Sequence, residues 1–260
     1  MVGKDPDGAG RGGCGMAQGA EGLGRGAGGT GEARAAAIVA ALAAVRGALA
    51  VAAERGGRPA DAVRLVAVTK GFPLDDVWRA QAAGVRDFGE NRVQEALPKV
   101  AALPAARWHF IGQLQRRKSA AVAGRFALVH SVDRPELADS LSLALGPGAS
   151  SADVLLQVNL TGVPGQGGVA PAQAASLLRH VLGLGRLRPR GLMTIAPQVA
   201  VAEGTRPVFA ALRTLRDRLQ EEEGVALPEL SMGMSADFEV AVEEGATLVR
   251  LGRVLFGVRA

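Results

Sequence analysis

Eight short apolar runs recur between residues 64 and 251, each separated from the next by a segment of helical pattern. This alternation constrains the fold more than any other feature of the chain. The runs lie at 64–69, 84–88, 107–111, 126–130, 153–158, 190–195, 228–231 and 247–251, with helical stretches near 74–83, 90–101, 114–122, 134–144, 171–183, 204–222 and 236–244. Runs such as "VLLQVNL" and "TLVRLG" are almost continuously apolar, as parallel strands covered on both faces must be. Eight such strands predict an α/β fold, a single closed (β/α)8 barrel of the TIM type rather than an open doubly wound sheet. From Glu32 to Arg55, Ile38, Val39, Leu42, Val45 and Leu49 recur at helical spacing. They predict an extra N-terminal helix, expected to cover one end of the barrel. Residues 1–31 hold 13 of the 36 glycines and little to bury, and read as a disordered tail, leaving 32–260 as one barrel domain.

Composition narrows the partners. The net charge of +5 comes mostly from arginine, and the one basic cluster, Arg116-Arg117-Lys118, has no aromatic beside it. Single-strand nucleic-acid readers interleave the two, so this cluster reads as a solvated helix face and no nucleic acid is expected. No run reaches the roughly 18 continuous apolar residues of a membrane span, so no membrane is expected. The single cysteine, Cys14, allows no intrachain disulfide. That fits a reducing cytoplasm, the expected location. His109, His130 and His180 lack metal-ligand spacing, and no metal is expected.

Lysine occurs four times, at Lys4, Lys70, Lys99 and Lys118. One of them ends the first apolar strand, in "RLVAVTKGFP" (64–73). In a barrel that position lies on the face where active sites are built. A strand-end lysine can simply snorkel to solvent. It can also be a partly desolvated amine able to condense with an aldehyde. The other end of the chain bears on the choice. In "SMGMSADF" (231–238) Ser235 is placed to cap a helix starting at Ala236, with Asp237 in its first turn, and Gly233 permits a tight turn with exposed amides. In "VRLGRVLFG" (249–257) Arg250 interrupts an apolar strand, Gly252 allows close backbone approach, and the amides of Gly252 and Arg253 extend the cradle. Loops after strands seven and eight are the habitual phosphate site of such barrels. An amine after strand one facing a phosphate cradle after strands seven and eight describes a pocket for pyridoxal 5′-phosphate.

Seven motifs in order make the resemblance specific. They are "LVAVTK", "FGENRVQEALPK" (88–99), "WHFIGQLQRRK" (108–118), "HSVDRPELA" (130–138), "LLQVNLTG" (155–162), "GLMTIAP" (191–197) and "LSMGMSADFEVAVEEGATLVRLGRVLFG" (230–257). From about Val63 to Arg259 the chain resembles the YggS/PROSC family of pyridoxal phosphate homeostasis proteins, related to the N-terminal barrel of alanine racemase. The resemblance implies that Lys70 carries the cofactor as a Schiff base. It implies that Ser235, the turn at Met232 and Gly233, and the amides of Gly252 and Arg253 hold the phosphate. Arg250 would face the pyridine nitrogen, with Asn91 and Met193 near the cofactor. The chain departs from relatives in "QLQRRK" (113–118), where they often carry a histidine, and in the neutral loop "GVPGQGG" (162–168).

An arginine at the ring nitrogen disfavours its protonation and weakens the ring as an electron sink. A racemase of the alanine type needs a second base, a tyrosine in that family, and this chain has no tyrosine. His109 and His130 are the available substitutes, although packing or hydrogen bonding suits their strand positions better. The expectation is a monomeric carrier that holds and releases pyridoxal 5′-phosphate without efficient turnover, with dependent apoenzymes as recipients. The alternatives are a weak racemase, transaminase or decarboxylase, and a cofactor-free Schiff-base aldolase acting on a phosphorylated sugar.

Overall fold

The computed structural model describes residues 26–146 and 151–258, with side chains from 31 onward. The expected tail lies outside the described residues up to position 25. Eight parallel strands close into a barrel in sequence order: β1 (Arg64–Val68), β2 (Asp87–Glu90), β3 (Arg107–Phe110), β4 (Leu128–Val132), β5 (Ala152–Gln157), β6 (Leu187–Met193), β7 (Glu229–Ser231) and β8 (Leu248–Leu251). The expected barrel is present, closed by β8 pairing with β1.

The helices are α1 (Gly26–Arg55), α2 (Leu74–Ala82), α3 (Val93–Ala102), α4 (Ser119–Val122), α5 (Pro135–Ala144), α6 (Ala174–Gly183), α7 (Arg206–Glu223), α8 (Phe238–Glu243) and α9 (Arg253–Phe256). Several boundaries differ from the sequence reading. β2 starts at Asp87 rather than 84 because Gly84 takes a left-handed turn (φ 91°) that ends the preceding segment. The stretch 114–122 is only a 3-10 turn, Arg116–Lys118, followed by the four residues of α4. α7 ends on Gly224 at φ 64°, whose amide bonds to the Gln220 carbonyl, the usual glycine stop.

α1 corrects two expectations. It begins at Gly26, six residues earlier than predicted, since extending an existing helix is cheaper than nucleating one. It also packs against α2, α8 and α9 rather than across a barrel end. With only the short α9 following β8, the ring has a gap beside β8 and β1. The apolar face of Ile38, Leu42, Val45, Leu49, Ala52 and Ala53 is buried there. Its alanine-rich sequence makes Gly31–Arg55 long and apolar enough to cross a membrane, although Arg46 interrupts the run. Here one face of the helix is covered by protein instead. Arg34 ties its upper end to Asp76 and to the Phe256 carbonyl at 2.8 Å.

Two apolar clusters follow from the period of two along each strand. The larger joins the outward strand faces to the helices. The smaller is the barrel interior, built by Val66, Leu128, Leu155, Met193 and Leu248 from five different strands, with Ile195 against it. Counting by twos from these residues towards the strand C-termini gives the side chains that reach the mouth.

Candidate functional site

A cleft of about 590 Å³ opens at the C-terminal end of the strands. Its lining includes Lys70, Asn91, Met193, Ser235, Arg250, Gly252 and Arg253, seven of the nine residues singled out from the sequence. The alternation brings several of them together. Lys70 lies four positions beyond inward Val66, and Arg250 and Gly252 lie two and four beyond inward Leu248. Phe72, just after Lys70, stacks on Phe256 of α9 at 5.0 Å, joining the loops after β1 and β8.

Met232 and Gly233 do not line the cleft. Ser231 pairs with Met193 and Leu248 at an inward level, so Met232 turns outward and is fully buried in the outer core. Gly233 serves the turn. At φ 91° its carbonyl accepts from the Arg250 amide at 3.0 Å, and a Cβ there would meet Ala241 Cβ at 2.6 Å. Ser235 does not cap α8 either. That helix starts at Phe238, and Asp237 stands at its cap position with its carboxylate accepting from the Met234 amide at 2.6 Å. Ser235 therefore sits inside a turn closed by Asp237. Its Oγ lies 3.5 Å from the Val254 amide, a weak contact between the loop after β7 and α9. The first amides of a short helix such as α9 have no intrahelical acceptor, which suits them to an anion.

The backbone on both sides of Lys70 is fixed by a buried ionic cluster behind β1. Lys99 of α3 donates to the Thr69 carbonyl at 2.7 Å, to Glu90 Oε1 at 2.6 Å and to Glu95 Oε1 at 3.0 Å. The Thr69 hydroxyl also donates to Glu90 at 2.6 Å, and the Gly71 amide donates to Glu95. Burial pushes the Glu90 carboxyl up despite the bonds from Lys99 and Thr69. Glu95, nearer solvent, is held below its ordinary value: the Gly71 amide and Lys99 outweigh its burial.

Arg250 is buried. Its Nη1 donates to Ser231 Oγ at 2.7 Å and its Nη2 to the Thr194 carbonyl at 2.9 Å. Desolvation pushes its pKa down to about 10, opposed by the charge of Asp237. Asn91 is placed by close backbone packing. A Cβ on Gly112 would lie 2.2 Å from the Asn91 carbonyl oxygen, so only glycine lets the loop after β3 pass there. His109 and His130, the candidate bases, do not line the cleft; they are buried and lie 2.9 Å from each other. Among the cleft-lining residues the ionisable ones are Lys70, Asp237, Arg250 and Arg253. No group of three metal-ligating side chains occurs among the described residues.

Glu90, Lys99, Thr194 and Ser231 are the site-building residues that the sequence reading missed, while Asp237, read as a first-turn residue, stands at the cap position instead. The Glu95 and Lys99 spacing of four on a helix was readable. The Thr69–Glu90 contact spans 21 residues and had no local signal.

Comparison with known proteins bears on the family and the fold. Residues 20–260 match the model of the alanine racemase N-terminal domain family. The chain is 45% identical over 210 residues to the pyridoxal phosphate homeostasis protein of Aquifex aeolicus, covering 80% of this chain and 92% of that one. It is equally identical to the protein of the same name from Pseudomonas aeruginosa, covering 80% and 90%. Among solved structures, PipY of Synechococcus elongatus with PLP bound superposes with a TM-score of 0.75 at 41% identity, covering 85% of this chain and 100% of PipY. A barrel with this strand order, matched along nearly the whole length of such relatives, belongs to the alanine racemase N-terminal domain family, among its pyridoxal phosphate homeostasis proteins.

Proposed function

We propose that the cleft holds pyridoxal 5′-phosphate and that the protein serves intracellular homeostasis of this cofactor, retaining and releasing it rather than turning over an amino acid. The observation that carries the reading is the convergence of Lys70, Arg250, Ser235 and the Gly252–Arg253 amides on one cleft. The cleft is within the range that encloses small ligands. Asn91 Oδ1 is buried without a protein partner and offers an acceptor to a ligand hydroxyl or ammonium. When bound, the cofactor supplies an aldehyde that condenses reversibly with a primary amine and a ring that accepts electron density. Lys70 provides that amine, on a turn clamped at Thr69 and Gly71. Ser235 and the amides of Gly252 and Arg253 would hold the phosphate, and Met193 would lie beside the ring.

Arg250 decides between holding and catalysis. A buried guanidinium at the ring nitrogen keeps that nitrogen unprotonated and weakens carbanion chemistry. The one carboxylate of the cleft lining, Asp237, is engaged by the Met234 amide, and no histidine reaches the lining. Among the described residues that line the cleft, no uncommitted base stands beside Lys70 as a second one. We further propose a cytoplasmic, monomeric carrier whose recipients are dependent apoenzymes.

The test is an absorption spectrum of the protein loaded with pyridoxal 5′-phosphate, borohydride reduction and peptide mapping, with deuterium exchange at the amino-acid Cα measured alongside. The expected result is a reduced adduct on the Lys70 peptide and negligible exchange. An adduct confined to Lys99 or Lys118 refutes the site. Exchange at dedicated-enzyme rates, on the order of 1–10³ per second, refutes the carrier reading in favour of a racemase-like enzyme.

A further inference from the structure

A line of polar side chains crosses the barrel interior beneath Arg250. Ser231 Oγ, which accepts from Arg250, lies 2.8 Å from His130 Nδ1. His130 Nε2 lies 2.9 Å from His109 Nδ1, and His109 Nε2 lies 2.9 Å from Asp87 Oδ1. Asp87 Oδ2 accepts from Arg107 Nη2 at 2.6 Å, at the opposite end of the barrel from the cleft. Ser231, His130, His109 and Asp87 are all buried, and they come from four strands.

The chemistry of these groups fixes the direction of every bond. Burial disfavours the Asp87 charge, but the bonds from His109 and Arg107 outweigh it and hold the carboxyl below its ordinary value. An ionised carboxylate only accepts, so His109 must carry its proton on Nε2. Ser231 Oγ already accepts from Arg250 and its own proton has only His130 Nδ1 to go to, so His130 carries its proton on Nε2 and donates to His109 Nδ1. Burial, with the nearby Arg250 and Arg64 charges, holds His130 well below the usual histidine value, so it is uncharged and accepts at Nδ1. The Ser231 proton goes to His130, and its oxygen lone pairs face Arg250. The reverse orientation needs a charged His109 and leaves the Ser231 hydroxyl proton with no acceptor among the contacts of a fully buried side chain. An unmade bond of that kind costs more than the mean hydrogen bond gains.

We propose that Asp87, His109, His130 and Ser231 are positioning residues for Arg250. They form a one-way relay that carries acceptor character from the Asp87 carboxylate to Ser231 Oγ and so fixes the guanidinium against the ring-nitrogen edge of the ligand. The inference rests on the reading that Arg250 faces that nitrogen. It also gives His109 and His130 a purpose other than proton transfer in the cleft, and explains why a barrel with an apolar half should bury two imidazoles in the other.

The first arm of the test needs no ligand. The chain has three histidines, so long-range ¹H–¹⁵N correlation spectra of ¹⁵N-histidine-labelled full-length protein resolve them individually. His109 and His130 are expected as neutral rings protonated at Nε2. An Nδ1–H form or an imidazolium at either position overturns the relay. The second arm compares retention of pyridoxal 5′-phosphate with that of its 1-deaza analogue, in which CH replaces the ring nitrogen. Asp87→Asn should weaken the first about five-fold, the equivalent of one net hydrogen bond, and leave the second unchanged. His130→Gln serves as the second variant and should give the same selective loss. Equal weakening of both ligands, or of neither, overturns the positioning role. Failure of the unmodified protein to retain either ligand overturns the proposed function itself, and with it the role of Arg250, whatever the imidazole spectra show.

Discussion

Replacing Lys99 with methionine probes the foundation of the Lys70 turn. The change removes the donor shared by Glu90 Oε1, Glu95 Oε1 and the Thr69 carbonyl. Glu90 is fully buried, and its Oε2 already has no partner, so only the Thr69 hydroxyl would remain to it. Stripping a buried charge of its counter-ion costs about 3–5 kcal/mol. Burial already pushes the Glu90 carboxyl up, so protonation offers an escape and the lower end, about 3 kcal/mol, is expected at neutral pH. The penalty should shrink as the pH falls. Substituting both partners, Glu90→Leu with Lys99→Met, removes the charge as well as its partner and should recover most of the loss, to within about 1 kcal/mol of the parent. Urea denaturation followed by tryptophan fluorescence reads this directly, because Trp108 is buried against Phe88 with ring centroids 5.3 Å apart. A single-variant loss below about 1 kcal/mol, or a double variant as unstable as the sum of the singles, would show that the cluster is not the coupled buried pair described here. Both variants should retain pyridoxal 5′-phosphate less well, since each loosens the backbone beside Lys70.

Three further outcomes follow from the geometry. Ser235→Ala should weaken retention of pyridoxal 5′-phosphate by about 1.5–3 kcal/mol but hardly change that of unphosphorylated pyridoxal; equal weakening in competition binding would confine Ser235 to its turn. Gly112→Ala drives a Cβ into the Asn91 carbonyl oxygen, so it should destabilise the fold by about 1–3 kcal/mol and reduce ligand retention; a silent substitution in thermal melts and binding would remove Asn91 from the site. His130 stays uncharged in the fold while the unfolded chain protonates it below about pH 6.5, so stability from this residue falls with the pH from there downward, at up to about 1.4 kcal/mol per pH unit for one proton. Burial pushes Glu90 and Asp237 the opposite way, so the measurement is the difference between parent and His130→Gln in urea midpoints from pH 7 to 5. Identical slopes would refute it.

The sequence by itself determined the barrel and named seven of the residues that line its cleft. Parallel strands covered on both faces must be apolar throughout, and that property is local, so eight runs could be counted without a structure. Lys70 and Arg250 were legible for the same reason: a cation at the end of an apolar run, or within one, breaks a pattern that neighbouring residues establish. What only the tertiary structure decided depends on direction and distance. Whether Met232 enters the cleft or the outer core turns on a single step of the two-residue period at the end of a three-residue strand. Gly233 and Gly112 look alike as letters, yet one serves a turn and the other makes room for the Asn91 backbone. The gap filled by α1 exists because β8 is followed by only four helical residues, a fact about the whole ring. Likewise the pairing of His109 with His130, and of Glu90 with Lys99 and Thr69, arises where strands and helix are brought together by closure of the barrel. Periodicity gives each residue its side of the sheet; closure of the barrel gives it its partner.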